Sequence, residues 1–112
     1  MSYQRIDRIS EEVRREVDRI IREELNDPRI SGTFSVTRAD VTRDLRYAKI
    51  YVSVFPFDKH PQLLATLEEN NWFIRRQLGQ RIRNQLKVVP ELQFFLDDSL
   101  EYIDHIEEAL NR

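Results

Sequence analysis

The chain has 112 residues, of which 40% are hydrophobic and 34% are charged, and it contains no cysteine. This size and composition are typical of one compact domain over residues 1–112, and they exclude a disordered chain, disulfides, thiol catalysis and thiolate metal sites. The first residues contain no apolar signal segment, and no apolar run is long enough to cross a bilayer. A soluble cytoplasmic protein without a membrane partner is therefore expected.

The formal net charge of −2 conceals an uneven distribution of charge along the chain. The segment Trp72–Lys87 carries five basic residues and no acid, whereas Val88–Arg112 carries seven acids and one base. Pro28–Ile50 has five bases and two acids. A localised basic surface is typical of RNA-binding domains, but charges also line solvated helix faces, and the distribution alone does not separate these two interpretations.

The beginning of the chain has the pattern of an amphipathic helix. Apolar residues recur at steps of three and four from Tyr3 to Leu25, with charged residues between them. This helix should end near Pro28, because a residue before proline disfavours the α conformation. Gly32 then permits a turn.

Two strands are predicted after this turn. Thr33–Val41 is rich in β-branched residues, and apolar side chains alternate with polar or aromatic ones from Tyr47 to Val54. The short connection between the two segments predicts an antiparallel hairpin. Pro56 should end the second strand.

A pair of helices is predicted next. Asp58 is the expected N-cap of the first, and Asn70–Asn71 interrupts it, since asparagine favours helix ends. The apolar positions of the first helix are Leu63, Leu64 and Leu67. The second helix should run to Val88–Pro90, and its apolar residues recur at four-residue spacing: Ile74, Leu78, Ile82 and Leu86.

The end of the chain predicts a short strand and a short helix. Gln93–Leu96 forms the strand, and Asp98 is the expected cap of a C-terminal helix that reaches Leu110. The resulting order is α-β-β-α-α-β with an added C-terminal helix, which is a two-layer α+β domain. It is also the order of a type II KH-like domain, a module that binds single-stranded RNA.

Five separate stretches of the chain resemble the ribosome-binding factor A family. They occur in the family's order and spacing over nearly the whole chain: Asp27–Ile30 with Val36–Thr37, Asp44–Val54, Phe73–Arg75 with Leu78–Gly79, Val89–Leu92 with Phe94, and Asp97–Leu100. No single stretch is diagnostic, but the five together make a specific match.

This resemblance implies a KH-like domain in which a kinked helix pair replaces the GxxG loop. It also implies a monomeric assembly factor that binds 16S rRNA within the free small (30S) ribosomal subunit. Such a factor assists late maturation and 5′ processing of 16S rRNA and matters most in the cold. It is not an enzyme, and it needs no cofactor, metal or small-molecule substrate. The alternative from another class is a small protein–protein interaction module without RNA binding.

The chain departs from the family at the kink between the central helices. The family has an Ala-x-Gly sequence there, whereas this chain has Asn70, Asn71 and Trp72. We expect the bend to persist, with an asparagine at the helix end. Trp72 either covers part of the core or stacks on an unpaired base, and burial is the expected outcome because tryptophan is highly buried on average.

The candidate RNA contacts are basic side chains. At about 100° per residue, a helix continuing to Lys87 places Arg76, Arg83 and Lys87 on one stripe, away from the apolar row. The remaining basic candidates are neighbours of this stripe or belong to the predicted hairpin: Arg75, Arg43, Arg46 and Lys49. Gly79 lies between the two helix faces, and close packing is its expected role.

Aromatic residues form a second candidate set. Tyr47, Tyr51 and Phe55 project from one side of the second strand and could stack on bases. A core or helix-facing position is the expected one, because a two-layer sheet needs a covered face. His60 and His105 are the only histidines, and no pattern of catalytic or metal-ligating residues is recognised.

Overall fold

The computed structural model describes residues 3–25, 27–30 and 33–97. Its helices are α1 (Tyr3–Arg19, continued by a π-helical segment Ile20–Leu25), a short 3₁₀ turn (Phe57–Lys59), α2 (His60–Glu69) and α3 (Asn71–Ile82). Its strands are β1 (Thr33–Val41), β2 (Tyr47–Phe55) and β3 (Glu91–Leu96). The predicted α-β-β-α-α-β order is confirmed.

The three strands form one sheet in the order β1-β2-β3. β1 and β2 are antiparallel, with Ala39 opposite Ile50, and this confirms the predicted hairpin. β3 returns after the two central helices and pairs in parallel with β2, so that Phe94 lies opposite Ile50. A parallel neighbour requires a long crossover, and α2 and α3 provide it.

The core lies between one face of the sheet and the helices. Alternate residues of each strand point into it, because successive side chains of a strand project to opposite faces. Val17 of α1 and Leu78 of α3 are completely buried against this face, and Ile50 lies at its centre with no exposed surface. The predicted packing of the hairpin against the helices is confirmed.

Helix α1 also covers the outer edge of β1. The carboxylate of Asp18 accepts a hydrogen bond from the backbone N–H of Val36 at 3.1 Å, and the hydroxyl of Ser10 accepts one from Val41 at 3.0 Å. An exposed strand edge would otherwise offer these groups to another chain. Polar residues between the apolar positions of α1 therefore have a structural role.

The bend between the central helices falls where the sequence predicts it. Asn70 is the C-cap of α2 and the N-cap of α3, with φ −105° and ψ 14°. Its side-chain amide donates to the carbonyl of Thr66 at 2.8 Å, and the amide of Asn71 donates to the carbonyl of Leu92 at 2.9 Å. The second bond ties the bend to β3.

Two predicted helix boundaries are wrong. Asp58 does not cap α2; it lies in the 3₁₀ turn, and α2 begins after Lys59 with Pro61 in its first turn and no side-chain cap. Helix α3 ends at Ile82 rather than near Val88. Leu86 is nevertheless buried, because a turn returns it to the core, and its N–H donates to the carbonyl of Ile82 at 2.9 Å.

The fold class is the predicted one, an α+β domain of the type II KH-like kind with a bent helix pair. Within the described ranges, no helix combines the length and apolarity needed to cross a membrane. Asp98, His105 and the predicted C-terminal helix lie outside the described residues.

Candidate nucleic-acid interface

Trp72 is 70% exposed, so the expectation that it is buried is wrong. The reason lies in the geometry of α3. Ile74 is a core-facing residue of this helix, and two residues at about 100° each place Trp72 on the opposite side. Arg76, two residues after Ile74, also lies on that opposite side, beside Trp72. The guanidinium carbon of Arg76 lies 5.4 Å from the centre of the Trp72 ring system.

Trp72 borders a shallow depression of about 470 Å³ between α3 and the segment 83–90, which leads to β3. We call its lining the Trp72 surface: Trp72, Arg75, Arg76, Gly79, Lys87, Val88 and Val89. Val88 is 61% exposed, so the surface combines an indole ring, an exposed aliphatic side chain and cations. It contains no acidic residue. An arrangement of this kind can stack a base and hold its phosphates.

The five basic residues of the segment from Trp72 to Lys87 divide into two groups. Arg81 pairs with Glu16 at 3.0 Å and with Glu24 at 3.2 Å, which joins α3 to α1. Arg75 also has internal partners. The other three cations are exposed and have no ion pair among the described residues: Arg76, Arg83 and Lys87. These three are the candidates that the sequence singles out.

Arg75 has a structural position. Its Nε donates to the carbonyl of Pro90 at 3.1 Å, and its Nη2 donates to the carbonyl of Val89 at 2.8 Å. The side chain is half-buried. It therefore holds the segment before β3 against α3 and keeps the wall of the depression in place, although it also lines the Trp72 surface.

The predicted helical stripe does not exist as such, because α3 ends at Ile82. Lys87 reaches the Trp72 surface from the segment after the helix. Arg83 is the C-cap of α3 and does not line the depression. The structure thus brings Arg76 and Lys87 together around Trp72 and leaves Arg83 outside this set.

Gly79 has the packing role that was expected of it. A Cβ atom at this position would lie 2.8 Å from Cγ2 of Val89, closer than real contacts allow. The absence of a side chain lets the Val89 segment lie directly on α3. Close packing here brings Lys87 and Val88 to the same depression as Trp72.

The hairpin cations lie elsewhere. Arg43 and Arg46 are exposed at the turn between β1 and β2, and the carbonyl of Arg46 accepts a hydrogen bond from Glu91 at 2.8 Å. Asp44 accepts hydrogen bonds from the hydroxyl of Thr42 and the backbone N–H of Arg46, and these bonds lower its pKa. Lys49 points away from the helices, opposite Gln93 of β3.

The core or helix-facing position expected for the strand aromatics is wrong. Tyr47 is 39% exposed and Phe55 is 62% exposed, and Tyr51 lies on the same side of β2. All three point away from the helices, because the smaller residues that alternate with them fill the core. The core-facing positions of β2 are Ala48, Ile50, Val52 and Val54.

Three exposed residues of interest were not singled out from the sequence. Val88 lines the Trp72 surface, and Arg38 and Phe95 lie on the sheet face directed away from the helices. The pair Phe94–Phe95 carried a usable signal, because adjacent strand residues face opposite sides and one ring must point outward. Among the described residues, no group of His, Asp and Glu side chains could hold a metal ion.

Comparisons with known proteins identify the family. The family model for ribosome-binding factor A matches residues 5–110. Ribosome-binding factor A of Clostridium tetani is 46% identical over 113 aligned positions, which cover 100% of this chain and 92% of that protein. The Clostridium novyi protein is 43% identical over 112 positions, covering 99% of this chain and 91% of its own.

Solved structures share the fold. The crystal structure of ribosome-binding factor A from Thermus thermophilus has a TM-score of 0.70 at 20% identity and covers 81% of this chain and 94% of its own. A homology model of the Thermus protein, fitted into a cryo-electron microscopy map of its complex with the 30S subunit, has a TM-score of 0.68 at 20% identity over 83% of this chain and 96% of its own. The extent of the family match and the identity to the clostridial relatives show that the chain belongs to the ribosome-binding factor A family.

Proposed function

We propose that this chain is an assembly factor that binds the free 30S subunit through its 16S rRNA, with the Trp72 surface as its principal contact. The observation that carries the proposal is the exposed indole of Trp72 beside the guanidinium of Arg76, in a depression without acids. Family membership supplies the partner, since the Thermus relative has been fitted into a complex with the 30S subunit.

The residue types of the Trp72 surface suit unpaired RNA. A base stacked on an aromatic side chain contributes about 1–3 kcal/mol regardless of its sequence. Arg76 and Lys87 are exposed and can neutralise phosphates on either side of such a base. Contacts of this kind position a protein on a folded RNA without reading a long sequence.

The resemblance to the ribosome-binding factor A family implies small residues, Ala-x-Gly, at the bend between the central helices, where the backbone can approach RNA closely. Here Asn70 and Asn71 make the bend through hydrogen bonds to Thr66 and Leu92, and Trp72 projects from it. We propose that this chain substitutes a stacking contact for close backbone approach. The bend is retained, but its surface chemistry differs.

We extend the proposal to late maturation of 16S rRNA, including processing at its 5′ end, and to a greater requirement in the cold. RNA helices in a wrong pairing escape slowly at low temperature, so a protein that holds one conformation has most effect there. Deletion of the gene should cause 16S precursors with extended 5′ ends to accumulate, more strongly in the cold. The wild-type chain should restore processing, whereas Trp72→Ala should restore it only in part.

We also propose that the protein is a monomer. The direct test of the proposed function is sedimentation of the protein with isolated 30S subunits, with large subunits and with whole ribosomes. Association with 30S subunits alone, weakening as salt is raised, is the expected result, because phosphate contacts release counterions. The triple variant R76E/R83E/K87E should bind weakly and with a flatter salt dependence. Salt-independent association that the triple variant retains would instead identify a protein–protein interaction module and overturn the proposal.

A further inference from the structure

The guanidinium of Arg75 uses only one of its edges inside the protein. Its Nε and Nη2 donate to the carbonyls of Pro90 and Val89 at 3.1 and 2.8 Å, so the Nε–Nη2 edge is occupied. A guanidinium carries five N–H groups in a rigid fork. Within the described part of the chain, no group accepts a hydrogen bond from Nη1 of Arg75. The Nη1–Nη2 edge therefore retains two parallel donors.

The position of this second edge is fixed by the first. Arg75 is half-buried, and its two bonds to backbone carbonyls hold the guanidinium between α3 and the segment before β3. Arg75 also borders an adjoining depression of about 500 Å³ that is lined by Glu68, Glu69 and Glu91. Among the described residues it forms an ion pair with none of these acids. The donors of the second edge are thus preorganised and have no partner in the described structure.

The side chains that line the Trp72 surface can donate hydrogen bonds but cannot accept them. Among its described lining residues, the groups capable of hydrogen bonding are the indole N–H of Trp72 and the cations of Arg75, Arg76 and Lys87. The carbonyl of Val89 is already engaged by Arg75. A ligand that presents acceptors matches this lining, whereas a ligand that presents an amino group would place a donor against donors.

Guanine is the base that matches these donors. The Hoogsteen edge of guanine carries two adjacent acceptors, O6 and N7, which the fork of an arginine binds bidentately. Adenine and cytosine each present an exocyclic amino group, which is a donor. Cytosine also has adjacent acceptors, O2 and N3, but its amino group lies beside them and its single ring overlaps less of an indole. An unpaired base can be read on either edge while it stacks on an aromatic side chain.

We propose that the Trp72 surface selects an unpaired guanine, stacked on the indole of Trp72, with O6 and N7 on the Nη1–Nη2 edge of Arg75. This inference rests on the proposed function, because it concerns the same surface and the same RNA partner. Arg76 and Lys87 contact the neighbouring phosphates, which positions the RNA, and the base edge supplies the sequence preference. Arg75 thereby links the wall of the depression to the reading of the base.

The test measures binding of the full chain to short labelled oligouridylates by fluorescence anisotropy, with one central base varied. Guanine should bind at least about five-fold more tightly than adenine, cytosine or uracil, the lower end of what a bidentate contact contributes. Inosine retains O6 and N7 and should bind like guanine. The analogue 7-deazaguanine lacks N7 and should bind like adenine. Trp72 is the only tryptophan of the chain, so quenching of its fluorescence reports stacking.

Two matched variants test the role of Arg75. Arg75→Lys keeps the charge but removes the fork, and it should bind the four bases with similar affinity. Arg76→Lys, at the adjacent exposed arginine, should retain the preference for guanine, because a phosphate contact requires only the charge. Circular dichroism checks the folding of both variants. The base analogues leave the protein unchanged, so they decide the question even if Arg75→Lys does not fold.

The possible failures are distinguishable. Equal affinity for all four bases, with quenching of Trp72, would refute the preference for guanine and leave the proposed function standing. Tighter binding of adenine or cytosine, undiminished binding of 7-deazaguanine, or guanine binding without quenching of Trp72 would also overturn the inference. If 30S subunits are bound but no oligonucleotide is, the surface does not hold a single base and the inference fails alone. If neither is bound, both proposals fail.

Discussion

Gly79 and Val89 are in such close contact that a Cβ atom at position 79 would lie 2.8 Å from Cγ2 of Val89. We therefore expect Gly79→Ala to destabilise the protein. Overpacking costs about 1–3 kcal/mol, and alanine recovers about 1 kcal/mol of helix propensity, so the net loss is up to about 2 kcal/mol. Urea denaturation measures it. In a Val89→Ala background the substitution should become neutral or stabilising, and a penalty that persists there would exclude this contact as its cause.

Trp72→Ala should leave the free energy of unfolding within about 0.5 kcal/mol of wild type, because the side chain is exposed. The same variant should weaken association with 30S subunits by the value of one stacked base, about 1–3 kcal/mol. Thermal unfolding and sedimentation measure the two effects. A large loss of stability with unchanged binding would show that the indole packs against the protein.

The exposed cations should differ in how much they contribute to association with 30S subunits. Arg76 and Lys87 line the Trp72 surface, whereas Arg83 does not. The double variant R76E/K87E should therefore weaken 30S association and reduce its dependence on salt. Arg76→Glu and Lys87→Glu should each weaken association clearly more than Arg83→Glu, the matched single reversal. Equal losses from Arg83 and from either lining residue would mean that the RNA contacts a wider area of α3.

Arg75→Met should lower the free energy of unfolding. The substitution keeps much of the apolar stem but removes two hydrogen bonds to the carbonyls of Val89 and Pro90. Hydrogen bonds from a charged group contribute about 1.5–3 kcal/mol, so we expect a loss of at least about 1.5 kcal/mol in urea denaturation. Arg76→Met, the adjacent exposed arginine, is the control and should be near neutral. Equal stability of the two variants would contradict the structural role of Arg75.

The lowered pKa of Asp44, at the hairpin turn, should make the free energy of unfolding depend on pH in acid. Hydrogen bonds from the Thr42 hydroxyl and the Arg46 N–H lower its pKa from the ordinary 3.8. Because the folded-state pKa is the lower one, the carboxylate stabilises the fold above the ordinary pKa, and this contribution is lost as the pH falls through the lowered value. Asp44→Asn keeps an acceptor but does not titrate, so its stability should decline less steeply in acid. Parallel acid profiles for the two proteins would refute this assignment.

The fold was predictable largely because burial leaves a periodic pattern. The alternation in β2 and the four-residue spacing in α3 both predicted which side chains are buried, and the structure confirms these predictions. The pattern did not indicate which backbone conformation brings these side chains into the core. Leu86 keeps the spacing although α3 has ended, because a turn also returns it to the core. Periodicity therefore placed the core better than it placed the end of the helix.

The site was less predictable, since exposed residues have no comparable pattern. The composition suggested a basic stripe, but it could not separate Arg75, which bonds to backbone carbonyls, from Arg76, whose side chain is exposed. Average burial suggested an inner position for Trp72. Its angular distance from Ile74 on the helix predicts the observed exposure, and that local geometry outweighs the average.

The parallel pairing of β2 with β3 has a consequence for the order of folding. Helices α2 and α3 both lie between β2 and β3 in sequence, so the pairing of these strands closes a long loop. The conformational entropy lost in closing this loop opposes the pairing until the strand contacts form. Arg75 anchors the segment that carries Lys87 through carbonyls directly before β3. A nascent chain that has not yet paired β3 with β2 thus has Trp72 but not the opposite wall of its depression, and the surface is completed only when β3 joins the sheet.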